Sequence, residues 1–322
     1  MASQVLWLIF LSDSKSEFAE VIMVFVQTSA HAHLFRSRRK VRLLLQALLR
    51  ISKKLHSVSR WKTLRVAVYI SSISICILEA MFIITFWNSK RRDHDHHIIW
   101  TSPYLPEEWK YYCCLMRDVS LVLVIILLEC LLISFSAYYC FVSKCIEMFL
   151  CDFCTKLCIR DARFDGRKKM QIYQEMAQIM VFADDFLSYS ALCTLLNSMV
   201  GLFWSSYSLI ICKDNYMTYS FFLVGIIHNL VTISMVMLPA SAANQAFSMT
   251  KDTLLSLPER FPALEINLNL FIFQGLKQEN ALTLWKIYKI DKSLLISALA
   301  TLVTYGFFVG TLGNAKASKP ET

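Results

Sequence analysis

Long apolar runs separated by polar and basic stretches set the plan of the chain. Five of them, at about 18–35, 66–87, 119–142, 188–212 and 218–240, approach or exceed the roughly 20 residues that a membrane-crossing helix needs. The first is the weakest, interrupted by Glu20, His31 and His33. A sixth run, at about 293–313, follows a mixed polar and aromatic segment that pivots at Asp291-Lys292. It holds Ser293, Ser297, Thr301, Thr304 and Thr311 together with Gly306, Gly310 and Gly313. Such small and hydroxylated residues mark either a helix–helix contact or a wetted face, and periodicity leaves both open. Met1–Leu11 is apolar but too short to span, and it lacks the basic start and the small-residue cleavage site of a signal peptide. It reads as the stub of a first transmembrane helix whose beginning lies outside the sequence. The pattern predicts an all-α, polytopic membrane helix bundle of six full spans plus that stub.

The stretches between the runs carry patterns of their own. In the loop 36–65, Val41, Leu44, Leu45, Leu48, Ile51 and Leu55 recur at helical spacing, with Arg38, Arg42, Arg50 and Lys53 largely elsewhere on the wheel. This predicts an amphipathic helix that packs on neighbours or on anionic lipid; a calmodulin target is the alternative. The segment 143–187 is expected to be helical in part. The segment 241–292 is polar overall but rich in Leu, Phe and Ile, which suggests packed helices outside the membrane. Two regions follow: a transmembrane helix bundle over 1–240, and a polar segment with the last helix over 241–322.

Composition agrees with a membrane protein. Hydrophobic residues make up 56% of the chain and charged residues only 18%, where a soluble domain carries about a quarter charged. The net charge of +9 is a local property, because 36–65 alone holds 11 Lys/Arg and no acid. A nucleic-acid partner is therefore not expected; a lipid-facing cytoplasmic loop explains the excess. Lys and Arg number 11, 7 and 6 in 36–65, 143–187 and 241–292, and 1, 5, 1 and 2 in 12–17, 89–118, 213–217 and 314–322. The two sets alternate along the chain, so the positive-inside rule puts the richer loops in the cytoplasm and the C-terminus outside. A G-protein-coupled receptor has the reverse orientation.

Candidate chemistry is sparse. Glu79 and Glu129 lie within spans, where a carboxyl is costly and usually turned toward a protein or water-filled interior. With His228 and Asn229 they supply polar groups for a pocket walled by Phe82, Phe86, Trp204, Tyr207, Tyr219 and Phe222, the usual make-up of a small-molecule site. The competing reading makes the carboxyls interhelical hydrogen-bond partners and the aromatics interfacial belt residues. Asp93–His97 packs three His and two Asp too closely for most tetrahedral metal sites and reads as a pH-sensitive loop. Cys145, Cys151, Cys154 and Cys158 resemble a zinc set superficially, but also fit one face of a helix with buried or palmitoylated thiols. No metal and no cofactor are expected. The chain holds no nucleophile elbow, P-loop, HExxH or dinucleotide fingerprint, so nothing in it argues for an enzyme.

The phrase Ile290-Asp291-Lys292-Ser293-Leu294-Leu295, followed by Thr304-Tyr305, resembles the C-terminal signature of the insect and invertebrate gustatory receptor family. The family ends that signature in Gln-Phe, where this chain has Thr311-Leu312. Asp291, Ser293, Leu294, Leu295, Thr304 and Tyr305 carry the match. The resemblance implies a seven-transmembrane chemoreceptor of the plasma membrane that acts as a ligand-gated, non-selective cation channel opened by a small-molecule tastant. It also implies a homo- or hetero-tetramer of related receptors around one pore lined by the last helix. Thr301, Thr304, Phe308, Thr311 and Leu312 share one broad stripe of that helix and are the expected pore and gate residues. A secondary transporter using Glu79, Glu129 and His228, and a non-conducting partner subunit of such receptors, are the rival readings.

Overall fold

The computed structural model describes residues 25–26, 28–30, 32–55, isolated helical positions between 66 and 84, 107–158, 166–211, 216–256, 280–301 and 304. In chain order the helices are α1 (Arg38–Leu55), α2 (Glu107–Cys158), α3 (Gly166–Ile211) and α4 (Tyr216–Leu255). A two-stranded antiparallel hairpin, β1 (Thr283–Leu284) and β2 (Tyr288–Lys289), follows. It leads into the apolar helix α5 (Lys292–Thr301).

Among the described residues three helical segments are long and apolar enough to cross a membrane: Cys130–Leu157, Lys169–Leu209 and Tyr219–Leu255. Helices α2, α3 and α4 have 52, 46 and 40 residues, so they run about 78, 69 and 60 Å at 1.5 Å per residue. A hydrocarbon core takes up only about 30 Å of that length. Each helix is therefore longer than a single crossing requires, and the three pack on one another around the core. Tyr139, Phe149, Leu150, Tyr173, Met180, Phe186, Met237 and Leu254 are fully buried. By contrast Leu196, Val200, Leu223 and Ile227, within the candidate spans of α3 and α4, are exposed. An apolar outer surface is unremarkable where the solvent is hydrocarbon.

Helix α1 shows the same logic at smaller scale. Its buried face is Leu44, Leu48, Ile51, Ser52 and Leu55, and Val41 and Leu45 are half-buried. Four fully buried Leu and Ile side chains contribute about 1.5–3 kcal/mol each. The Lys54–Glu175 ion pair, at 2.5 Å but partly exposed, contributes at most about 1 kcal/mol, so apolar burial is what docks α1. Lys156 of α2 donates to the carbonyl of Leu55, placing a cation on the unsatisfied C-terminal end of α1.

Pro239 lies inside α4 without ending it. It is followed by the buried small residues Ala240, Ser241 and Ala243, which let neighbouring backbones approach closely.

The segment 241–292 departs from the expected packed helices at its end. Residues 282–290 form the hairpin, and the turn carries no glycine. Trp285 and Lys286 take left-handed backbone angles, φ 49° and 57°, a conformation that non-glycine residues hold only when their surroundings fix it. Trp285 N–H donates to Ser188 O at 3.2 Å and Lys286 N–H to Thr283 Oγ1 at 3.0 Å. Tertiary contact to α3 therefore outweighs the local preference.

Candidate functional site: a polar seam and a latched last helix

Buried polar residues recur along one face of α3: Ser190, Thr194, Asn197, Ser198, Ser205 and Ser208. Their steps of three, four and seven keep them on one side of the helix, and Gly201 lies on that side. At Gly201 the face meets α4, where a Cβ would come within 2.7 Å of Asn229 Oδ1 and 2.9 Å of Nδ2. Asn229 is itself oriented by donating to Gly225 O at 2.8 Å. Near its start the same face looks toward Leu132 and Phe135 of α2 and toward Ala30 and Leu34, around a cavity of about 10 Å³. Ser190 Oγ, Asn197 Oδ1 and Ser198 Oγ are buried without a hydrogen-bond partner among the described residues. Leaving such a group unmet costs about 1–3 kcal/mol, so the seam suits ordered water or a ligand's polar groups.

The expected pocket residues are placed as follows. Trp204 and Tyr207 approach at 6.3 Å between ring centroids, and Phe203 stacks on Tyr207 at 6.3 Å. Trp204 and Tyr219 are exposed, at 40% and 46%, while Tyr207 and Phe222 are half-buried. Phe222 lies 5.3 Å from Phe221. His228 is buried on α4 beside Asn229. Glu129 lies on the backbone of α2, and its side chain is outside the described residues. Glu79, Phe82 and Phe86, and the loop Asp93–His97, also fall outside them. Cys145 is buried, Cys151 exposed and Cys154 half-buried, its Sγ 3.5 Å from Thr253 Oγ1. The side chain of Cys158 lies outside the described residues, and among the described residues no cluster could hold a metal ion.

Just before the start of the seam on α3, and further along α4, two buried polar side chains hold the hairpin. Asn244 of α4 donates from Nδ2 to Leu282 O and Ile290 O, at 2.9 and 2.8 Å, and accepts from Leu282 N–H at 2.7 Å. Asp184 of α3 accepts from Thr283 N–H at 2.6 Å and from Thr283 Oγ1 at 2.9 Å. Leu282, Leu284 and Ile290 are buried in the main core. Neither Asn244 nor Asp184 was expected from the sequence. A polar residue at a fixed step within an apolar helix face was the available signal.

The hairpin delivers the chain directly to α5. Asp291 Oδ1 accepts from Leu294 N–H at 2.7 Å and from Ser293 Oγ at 2.9 Å. Asp291 is thus the N-cap of α5, and these hydrogen bonds hold its carboxyl below the usual carboxylate range. Ile290 before the cap and Leu295 after it join the same buried cluster, the positions of a hydrophobic staple. The signature residues Asp291, Ser293, Leu294 and Leu295 therefore serve the start of the last helix. Thr301 and Thr304 are exposed further along it, each hydroxyl donating to the carbonyl four residues back. Tyr305, Phe308, Thr311 and Leu312 lie outside the described residues.

This architecture is similar to solved structures of the insect olfactory receptor OR5 from Machilis hrabei. One match has a TM-score of 0.65 at 12% identity, covering 95% of this chain and 84% of that one. The same receptor in complex with eugenol matches with a TM-score of 0.72 at 12% identity, covering 96% and 85%. At that identity the likeness shows the fold. No curated protein matches the chain. Residues 18–309 match the sequence profile of the 7tm Chemosensory receptor family; since that match takes in most of its length, the chain belongs to this family of membrane receptors, which are not enzymes.

Proposed function

We propose that the protein is a gustatory-type receptor that opens a non-selective cation pore when a small organic tastant binds between its helices. The observation that carries this reading is the connection between seam and last helix. Helices α3 and α4 bear the buried polar face and the aromatic candidates, and through Asp184 and Asn244 the same two helices hold the hairpin that starts α5. A ligand that binds one spacing of α3 and α4 more tightly shifts the balance between two positions of the last helix. The eugenol held by the Machilis hrabei receptor indicates the class of ligand, a small, mostly apolar molecule with a polar handle. On this reading Glu79, Glu129, His228 and the seam supply its polar partners, and Phe82, Phe86, Trp204, Tyr207, Tyr219 and Phe222 its walls.

The pore is assigned to Thr301, Thr304, Phe308, Thr311 and Leu312 of four subunits, related or identical, in the plasma membrane. Residues 241–291 form the anchor below the membrane, and loops 36–65 and 143–187 face the cytoplasm. Whole-cell recording with a ligand panel tests the proposal, comparing the chain alone with co-expressed relatives. Ligand-evoked, weakly selective cation current supports it. Current only on co-expression moves the chain to the partner-subunit reading. Substrate-coupled proton flux without channel current makes it a transporter. A tag placed after Thr322 should stain intact cells.

A further inference from the structure

Where the first described helical residues meet the start of the spanning part of α3, an open groove of about 350 Å³ is lined by His33, Asp185, Ser188, Tyr189, Trp285 and Lys286. Three rings form its wall: His33 meets Tyr189 edge-on at 5.3 Å, and Tyr189 meets Trp285 edge-on at 6.1 Å. Ser29 Oγ and Tyr189 OH lie 3.0 Å apart and fix the phenol. His33 Nδ1 is buried and has no hydrogen-bond partner among the described residues.

Charge at the groove is mostly positive and loosely committed. Lys286 Nζ lies 2.7 Å from Asp185 Oδ1, and Lys40 Nζ lies 3.6 Å from Oδ2 of the same carboxylate. One acid therefore serves two ammonium groups, all three side chains being about half exposed or more. The neighbouring carboxylate of Asp184 is turned to Thr283. Arg36, Arg38, Arg39 and Arg42 add further positive charge without an acid between them. Arg38 lies over the ring of Phe35 at 5.2 Å.

The apolar groups at the same level are exposed: Phe35 at 71%, Ile287 at 61% and Tyr288 at 60%, with Trp285 half-exposed between them. Indole, phenol and aliphatic groups alternating with Lys286 and Lys289 on a hairpin tip make an amphipathic edge suited to the headgroup level of a bilayer. On the sequence reading, the groove stands where the apolar runs 18–35 and 188–212 meet the basic segments 36–65 and 143–187.

We propose that this groove binds the phosphorylated headgroup of an anionic phospholipid of the cytoplasmic leaflet. Lys40 and Lys286 contact the phosphate, and the Trp285 hairpin tip dips among the acyl chain ends. Asp185 is a built-in competitor for both lysines. Because the hairpin starts α5, an occupied groove holds the foot of the last helix against α3. The proposal rests on the cytoplasmic placement of the basic loops given above and not on channel activity.

Full-length protein in nanodiscs of phosphatidylcholine with a few per cent phosphatidylinositol bisphosphate tests it. Both leaflets are accessible there, so a reversed orientation leaves the readout intact, and no ligand or current is needed. Retained lipid is counted by native mass spectrometry. Near a membrane surface each lysine is worth about fivefold in binding, so Lys40→Gln with Lys286→Gln should lower retention of the anionic lipid by roughly thirtyfold. Asp185→Asn should raise it, because both ammonium groups are released; a purely structural ion pair predicts no such gain. Retention that is unchanged or lower in Asp185→Asn overturns the proposal. So does soluble inositol trisphosphate or inorganic phosphate displacing the lipid at equal concentration, which would indicate a site for a free anion. Substitutions that change the oligomeric mass and leave lipid retention alone would assign the face to a subunit contact and likewise overturn it.

Discussion

Replacing Asn244 by Leu keeps the size of the side chain and removes three hydrogen bonds at once. The consequences differ among the backbone groups it serves. Leu282 O keeps a partner, since Ile290 N–H donates to it at 3.1 Å. Leu282 N–H and Ile290 O lose theirs, in a site where Leu282 and Ile290 are 1% and 0% exposed. Two buried groups left unmet cost about 1–3 kcal/mol each, so opening of the hairpin base becomes easier by about 2–6 kcal/mol. Even the lower figure raises the opening constant roughly thirtyfold. Hydrogen exchange followed by mass spectrometry on the detergent-solubilised protein reads this directly. The Leu282 and Ile290 amides should exchange at least about tenfold faster. Thr283 N–H, held separately by Asp184, should change less. In cells the same variant should raise ligand-independent current, because the foot of α5 is no longer fixed to α4. Exchange at Leu282 within a factor of about three of the unmodified protein, with normal gating, would refute the account of Asn244 as a latch.

Gly201→Ala sets a methyl group against the Asn229 amide and should destabilise the bundle by about 1–3 kcal/mol; a thermal-unfolding double-mutant cycle with Asn229→Ala should recover most of that, and simple additivity would refute the contact. Asp291→Ala removes the cap of α5 at a cost of about 1 kcal/mol, whereas Asp291→Asn keeps most of it; agonist dose–response curves should shift for the first variant only. The Asp291 carboxyl is depressed, so its contribution is fully present above the ordinary carboxylate pKa and is lost only as pH falls through the lower folded value. Mild acidification to pH 6 should therefore leave the cap intact, as a pH series of α5 hydrogen exchange would reveal. Cysteines introduced at Thr304, Phe308 and Thr311 should react with a charged thiol reagent mainly in the presence of agonist; reaction independent of agonist at all three would move the pore elsewhere.

The long helices were legible in the chain because a continuous apolar run favours one unbroken helix: 119–142 and 218–240 fall within α2 and α4, and 188–212 follows α3 to its last residue, Ile211. Their true ends were not legible. A hydropathy pattern registers where a continuous apolar run stops, while these helices continue past it into a protein core that accepts alternating apolar and polar residues. The amphipathic spacing of 36–65 did foretell α1, since Leu44, Leu48, Ile51 and Leu55 are its buried face. The hairpin was hidden because Trp285 and Lys286 carry none of the usual turn chemistry, and the Trp285 backbone is fixed by Ser188, far away in sequence. Asp184 and Asn244 were missed for the same reason, as their partners lie 99 and 38 positions along the chain. Asp291 was found, and its role is local: a cap is written within three residues.

Those sequence separations bear on how the protein is made. Helices α3 and α4 are synthesised well before residues 282–290. Until the hairpin arrives, Asp184 and Asn244 lack the partners they have in the folded protein, and the groove that receives Leu282, Leu284 and Ile290 stands empty. The chain cannot complete the core that Leu282, Leu284 and Ile290 join until nearly all of it has left the ribosome. A premature stop just before Leu282 would spare α1 to α4 and still leave an unfinished surface for chaperones and degradation machinery to recognise. Late truncations should therefore cost cell-surface delivery as well as conduction.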